Sequence, residues 1–183
     1  MKTGQTLVVT LPMMVKNELT KTGVQYENTA YQIDFGLAYV TETVVNNVPK
    51  LDPQKDVVID LSHKDESLDG KEVALHQIFN YRLVGAMIPN NRATALFDYG
   101  FKDDYDEKHD EYNGVYRSYL MTDVSLKDGS VLKEGTEVTK YTLQQVDTEN
   151  GFVSISFDKS FLETISDDSA FQADNFHEQA RMV

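Results

Sequence analysis

A lysine and an aspartate stand where strand alternation would place apolar side chains. In the run Lys55–Leu61, a two-residue period turns Lys55, Val57, Ile59 and Leu61 to one side and Asp56, Val58 and Asp60 to the other. In Phe97–Asp103, the residues Phe97, Tyr99, Phe101 and Asp103 share a face in the same way. Low dielectric disfavours the ionic form of both groups, so a core lysine tends towards a neutral amine and a core aspartate holds its proton. Such a pair suits amide chemistry. A neutral ε-amine is a nucleophile, and a protonated carboxyl polarises an Asn side-chain carbonyl. With an Asn brought by a third strand, the three can condense to an isopeptide bond and release ammonia. The alternative is that Lys55, at the start of its strand, snorkels to water while Asp103 caps a loop.

Beyond Asp103 the chain gathers carboxylates up to Gly114, and Asp104, Asp106 and Asp110 are the candidate ligands for calcium, a hard cation that takes oxygens. The spacing is not that of a helix-loop-helix calcium site, and a solvated acidic loop is the alternative. The four histidines, His63, His76, His109 and His177, show no paired spacing for zinc, and nearly all are expected to face solvent or to be incidental. No nucleophile elbow, phosphate loop or dinucleotide fingerprint occurs. Asp104 and Asp106 are too close in sequence to define the flanking acid and base of a glycosidase. An enzyme is not expected.

Lys55 and Asp103 need strands to hold them. Alternation with intervening turn residues runs through Thr6–Leu11, Gln32–Val45, Lys55–Leu61, Gln77–Val84, Leu96–Asp103, Val115–Leu126, Thr136–Leu143 and Phe152–Phe157. Asp128-Gly129 and Asn150-Gly151 are tight-hairpin signals, so the strands that they join are expected to be antiparallel neighbours. Only Ser160–Ser166 looks helical. The fold class is all-β, an antiparallel sandwich. Pro49 and Pro53 interrupt the pattern as a short stiff linker would. An echo spans that linker: Leu7–Leu11 followed by Ala30–Phe35 resembles Val153–Phe157 followed by Ala170–Phe176. Residues 1–48 therefore read as the C-terminal strands of one module. Residues 49–183 read as a second module that lacks its last strand, leaving a groove that Tyr39–Val45 could fill by folding back or by forming a strand-swapped homodimer.

With 40% hydrophobic residues, no tryptophan and no cysteine, the 183-residue chain can build a core but has no disulfide or thiolate chemistry. A net charge of −13 disfavours nucleic-acid backbones and anionic membranes, and no apolar run is long enough for membrane insertion.

The run Asn46–Val58, then Phe79–Leu83, then Phe101–Asp106 with His109-Asp110 and Tyr112-Asn113-Gly114, and finally Ala170–Ala173, resembles the C-terminal modules of the streptococcal antigen I/II polypeptides and the enterococcal aggregation substances. The resemblance implies tandem immunoglobulin-like sandwiches on a wall-anchored, extracellular adhesin stalk. Such modules are often reinforced by Lys–Asn isopeptide bonds and carry recurrent calcium sites. It implies Lys55 as nucleophile and Asp103 as the proton-holding carboxylate, with the acceptor Asn on a final strand beyond this chain, and it puts Glu42 at the acceptor position of the first module. Signal peptide and anchor are expected outside the chain, and the parent is expected to engage a host or bacterial cell-surface ligand. The second reading is a calcium-dependent binding module that engages a host glycoprotein or partner cell directly.

Overall fold

The computed structural model describes residues 8, 10, 24–48 and 50–183. Contacts divide the chain into two units, Met1–Leu51 and Asp52–Val183. The expected strand Thr6–Leu11 falls, apart from Val8 and Thr10, outside the described residues.

In the first unit, β1 (Val24–Asn28) pairs antiparallel with β4 (Val44–Val48), and β2 (Tyr31–Asp34) pairs antiparallel with β3 (Leu37–Val40). The continuous strand expected over Gln32–Val45 is broken twice. Phe35 and Gly36 take φ of 48° and 78°, a two-residue hairpin turn with both central residues left-handed, and Thr41–Thr43 separate β3 from β4. Period-2 alternation continues unbroken through such a turn, which is why composition alone hid it.

The second unit is an antiparallel β-sandwich. One sheet runs β5 (Gln54–Val58), β6 (Ile78–Val84), β13 (Ala173–Arg181), β8 (Asp110–Leu120) in that spatial order. The facing sheet runs β11 (Thr142–Asp147), β12 (Phe152–Phe157), β7 (Gly100–Asp104). Leu83, Leu120 and Ala173 of the first sheet meet Phe101, Val153, Ile155 and Phe157 of the second in one buried cluster. Phe171 sits at its centre, fully buried, with the rings of Tyr99 and Phe157 edge-on at 4.8 and 5.5 Å.

Both expected hairpins are present. The Asp128-Gly129 turn joins the short β9 (Val124–Ser125) and β10 (Val131–Leu132), and the Asn150-Gly151 turn joins β11 and β12. Gly151 is required by conformation and by space: its φ is +64°, and a Cβ would meet Tyr105 O at 2.3 Å. The helical signal shrinks to one turn, α1 (Lys159–Leu162), and Thr136–Leu143 is an isolated bridge at Glu137 and a 3-10 turn, Thr139–Tyr141, before β11 begins at Thr142. Phe97 lies before β7 begins and is 69% exposed, so it does not share the core face of Tyr99, Phe101 and Asp103.

Candidate functional site

Asp103 leaves the inner face of the three-stranded sheet and crosses to the other. Its partner in the ladder is Val153, and it is 6% exposed. Across the sandwich, Lys55 Nζ donates to Asp103 Oδ1 at 2.6 Å and His177 Nε2 contacts Oδ2 at 2.9 Å. The donors come from two strands of the opposite sheet, β5 and β13, separated by β6. Register explains the convergence. Lys55, Leu83, Asn175 and Ser118 form one row across the four strands, and Val57, Tyr81, His177 and Tyr116 form the next on the same face.

The surroundings orient each group. Asn175 Nδ2 donates to Ser118 Oγ at 3.0 Å and to Arg117 O at 3.2 Å, which turns its Oδ1 towards His177 Nδ1 at 3.3 Å. Both nitrogens of the fully buried ring therefore face oxygens. Lys55 Nζ lies 3.9 Å from the centre of the Tyr81 ring, a cation–π contact. The Tyr81 hydroxyl donates to Asp110 Oδ2 at 2.9 Å, and burial with that carboxylate pushes the phenol well above its ordinary range.

Two expectations about this pair change. Lys55 is not sealed in the core: its side chain keeps 41% of its exposure at the edge of the sheet, whereas Val58, on the opposite face of β5, is fully buried. Nor does Asp103 hold its proton. Burial pushes its carboxyl up, but the hydrogen bonds and charges of His177 and Lys55 outweigh burial and hold it below the usual aspartate value. The first of these lowering influences is His177, one of four histidines of which nearly all were expected to face solvent or to be incidental, and the structure buries it fully.

The calcium candidates separate. Asp110 points inward, 3% exposed, between the Tyr81 hydroxyl and Arg181 Nε, which lies 2.8 Å from its Oδ1. Asp106 is exposed and pairs with His109 Nδ1 at 2.5 Å, which lowers its carboxyl. Asp104 is exposed on β7. Among the described residues no group of three or more His, Cys, Asp or Glu side chains is placed to hold a metal ion. Glu42 lies exposed in the loop between β3 and β4, not on a strand. Tyr39–Val45 is likewise not one donor strand, since Tyr39 and Val40 belong to a hairpin and Val44 and Val45 pair with β1.

The site lies on strands and is braced from both sheets, the arrangement of a structural module of the β-sandwich class. Residues 52–183 match the family described as cell surface antigen C-terminus, and residues 1–48 match the cell surface antigen I/II C2 terminal domain. The chain belongs to the cell surface antigen C-terminus family. It is 34% identical over 163 residues to the aggregation substance of Enterococcus faecalis, covering 89% of this chain and 12% of that protein. Among solved structures, the C-terminal domain of the Streptococcus agalactiae antigen I/II polypeptide BspA is similar with a TM-score of 0.79 and 34% identity, over 92% of this chain and 52% of that one. The C-terminal domain of the Streptococcus pyogenes antigen I/II-family protein AspA is similar with a TM-score of 0.79 and 32% identity, over 89% and 48%. The chain thus spans about half the length of the solved relatives and 12% of the aggregation substance.

Proposed function

We propose that this chain is a structural stalk module of a wall-anchored bacterial surface adhesin, extracellular and without catalytic turnover, whose Lys55–Asp103 pair is set up for an intramolecular isopeptide bond. The observation that carries the reading is the 2.6 Å contact between a lysine on the first strand of the sandwich and a buried aspartate of the opposite sheet. Family membership supports the stalk role, and adhesion or aggregation through a cell-surface ligand is the role of the parent.

The chemistry needs two proton transfers and one exchange at carbon. The Lys55 ammonium passes a proton to Asp103, leaving a neutral amine beside a carboxylic acid. The amine attacks the side-chain carbon of an Asn whose carbonyl that acid polarises. The new C–N bond forms as the old one breaks, and the departing nitrogen takes up, by way of Asp103, the proton that the attacking amine gives up and leaves as ammonia. β5 is an edge strand, so a further strand of the parent laid beside it would bring the Asn to Lys55. Seating that strand also removes the remaining water from Nζ, which favours the neutral pair.

A second reading has its own support: the lowered Asp103 carboxyl favours a lasting ionic contact, a non-covalent tie between the sheets. Mass separates the two. Peptide mapping of the parent purified from cells should give a branched peptide that joins the Lys55 segment to an Asn segment and has lost one ammonia, and Asp103→Ala should abolish it. Unbranched Lys55 peptides at full mass would leave only the ionic tie.

A further inference from the structure

Asparagine followed by glycine occurs twice in the chain, at Asn113-Gly114 and Asn150-Gly151. The dipeptide has its own chemistry. The backbone nitrogen of the glycine can attack the side-chain carbon of the asparagine and close a succinimide ring, because no Cβ on the glycine stands in the way. The backbone must give that ring room, and there the two sites differ.

Asn150-Gly151 is enclosed. Gly151 is buried, its O accepts from Tyr105 N at 2.8 Å, and a Cβ on it would meet Tyr105 O at 2.3 Å. Asn150 is held twice by one carboxylate, from N to Asp147 Oδ1 at 3.2 Å and from Nδ2 to Asp147 Oδ2 at 2.8 Å. This turn cannot change shape without displacing Tyr105.

Asn113-Gly114 is open. It lies in β8, at the edge of the four-stranded sheet, where pairing with β13 steps from Tyr112 opposite Gln179 to Tyr116 opposite His177. Asn113, Gly114 and Val115 therefore face Glu178 alone, a bulge whose residues have no register partner on β13. All three are exposed, Gly114 has a φ of +84°, and nothing lies within 4 Å of where its Cβ would stand. A ring can close here without disturbing a packed neighbour.

The bulge also prepares the reacting carbon. Val115 N donates to Asn113 Oδ1 at 3.1 Å, so a backbone N–H already points at the oxygen on which charge develops during attack. Asn113 Nδ2 donates to Glu178 Oε1, which puts a carboxylate beside the nitrogen that must leave.

We propose that Asn113 is a site of spontaneous deamidation, selected over Asn150 by the bulge in β8. The Gly114 nitrogen bonds to Asn113 Cγ and gives up its proton. The bond from Cγ to Nδ2 breaks, and that nitrogen takes up a proton and departs as ammonia. Water then adds to either carbonyl carbon of the succinimide and opens it, giving an aspartate or an isoaspartate whose backbone runs through the side-chain carbon. Each product sets a new carboxylate beside Glu178 in place of a donor, so attraction turns to repulsion. The succinimide has lost one ammonia, the same change in mass as an isopeptide bond, but it joins no second segment. The site is separate from the Lys55–Asp103 contact and does not depend on the stalk reading.

The test holds the chain at mildly alkaline pH, folded and, in parallel, unfolded in urea, and follows both Asn-Gly peptides over time by peptide mapping with mass detection. In the folded chain Asn113 should convert at least about tenfold faster than Asn150, a barrier difference of about 1.4 kcal/mol. In urea the two rates should converge, since the fold makes the selection. Gly114→Ala should slow conversion of Asn113 by at least about tenfold and leave Asn150 unchanged. If that variant does not fold, Asn113→Gln, whose longer side chain cannot close the same ring, takes its place and should remove the conversion at this position. The proposal is overturned if Asn113 stays intact in the folded chain, if Asn150 converts as fast there, if the two rates differ as much in urea, or if the variant converts as fast as the native chain.

Discussion

Replacing Asp103 by Ala takes the acceptor from two donors at once, and the structure sets the size of each loss. The Lys55 arm is 41% exposed, so solvent screening holds it to about 0.2–1 kcal/mol. The His177 arm is fully buried, so losing its partner costs about 1.5–3 kcal/mol. Together they amount to about 2–4 kcal/mol, against about 5–15 kcal/mol for a typical domain. The midpoint of thermal unfolding should fall by about 6–15 °C. Far-UV circular dichroism in urea is the assay, because the chain has no tryptophan to report by fluorescence. A double-mutant cycle with His177→Ala should return a coupling of about 1–3 kcal/mol. The pH dependence has a definite sign. The folded carboxyl lies below its unfolded value, so the contribution is complete above the unfolded aspartate value of about 3.9 and is lost as pH falls through the lower folded value. The gap between the native chain and Asp103→Ala should therefore close only in acid. A loss below about 0.5 kcal/mol at neutral pH, or a gap that does not narrow in acid, would refute the argument that Asp103 ties the sheets.

Phe171→Ala, which empties a fully buried ring site between Tyr99 and Phe157, should cost about 3–5 kcal/mol by urea unfolding. Gly100→Ala places a Cβ 2.6 Å from Ile155 O, a backbone atom that cannot swing aside; it should lose about 1–3 kcal/mol and speed hydrogen exchange along the β7–β12 ladder. Burial pushes the phenols of Tyr99 and Tyr112 up to about 12, so in a spectrophotometric titration both should ionise well after exposed tyrosines. Their raised values contribute stability that is complete below about pH 10 and is lost as pH rises towards 12.

The sequence by itself determined the all-β class, both glycine hairpins and the placing of Lys55 beside Asp103. Each of these is written in local terms. A two-residue period puts alternate side chains on one face, Asp-Gly and Asn-Gly supply left-handed turn positions, and a charged residue in register with apolar neighbours stands out. What it hid was β13. Ala173-Asp174-Asn175-Phe176-His177-Glu178-Gln179 has polar residues on both faces and shows no apolar alternation, yet the structure makes it a central strand with pairs on either side. A polar strand survives there because partners brought from far along the chain satisfy most of its side chains: Asp103 for His177, Ser118 for Asn175, Arg82 for Asp174. Those partners are 74, 57 and 92 residues away, so no local pattern announces them. The same reason decided the fate of the acidic run after Asp103. Its residues read as one ligand cluster in a line, but the tertiary structure turned Asp110 inward to Tyr81 and Arg181 and left Asp104 and Asp106 outside. The charge of Asp103 follows the same rule, since burial pushes its carboxyl up and the hydrogen bonds and charges of His177 and Lys55, brought from distant strands, reverse the sign.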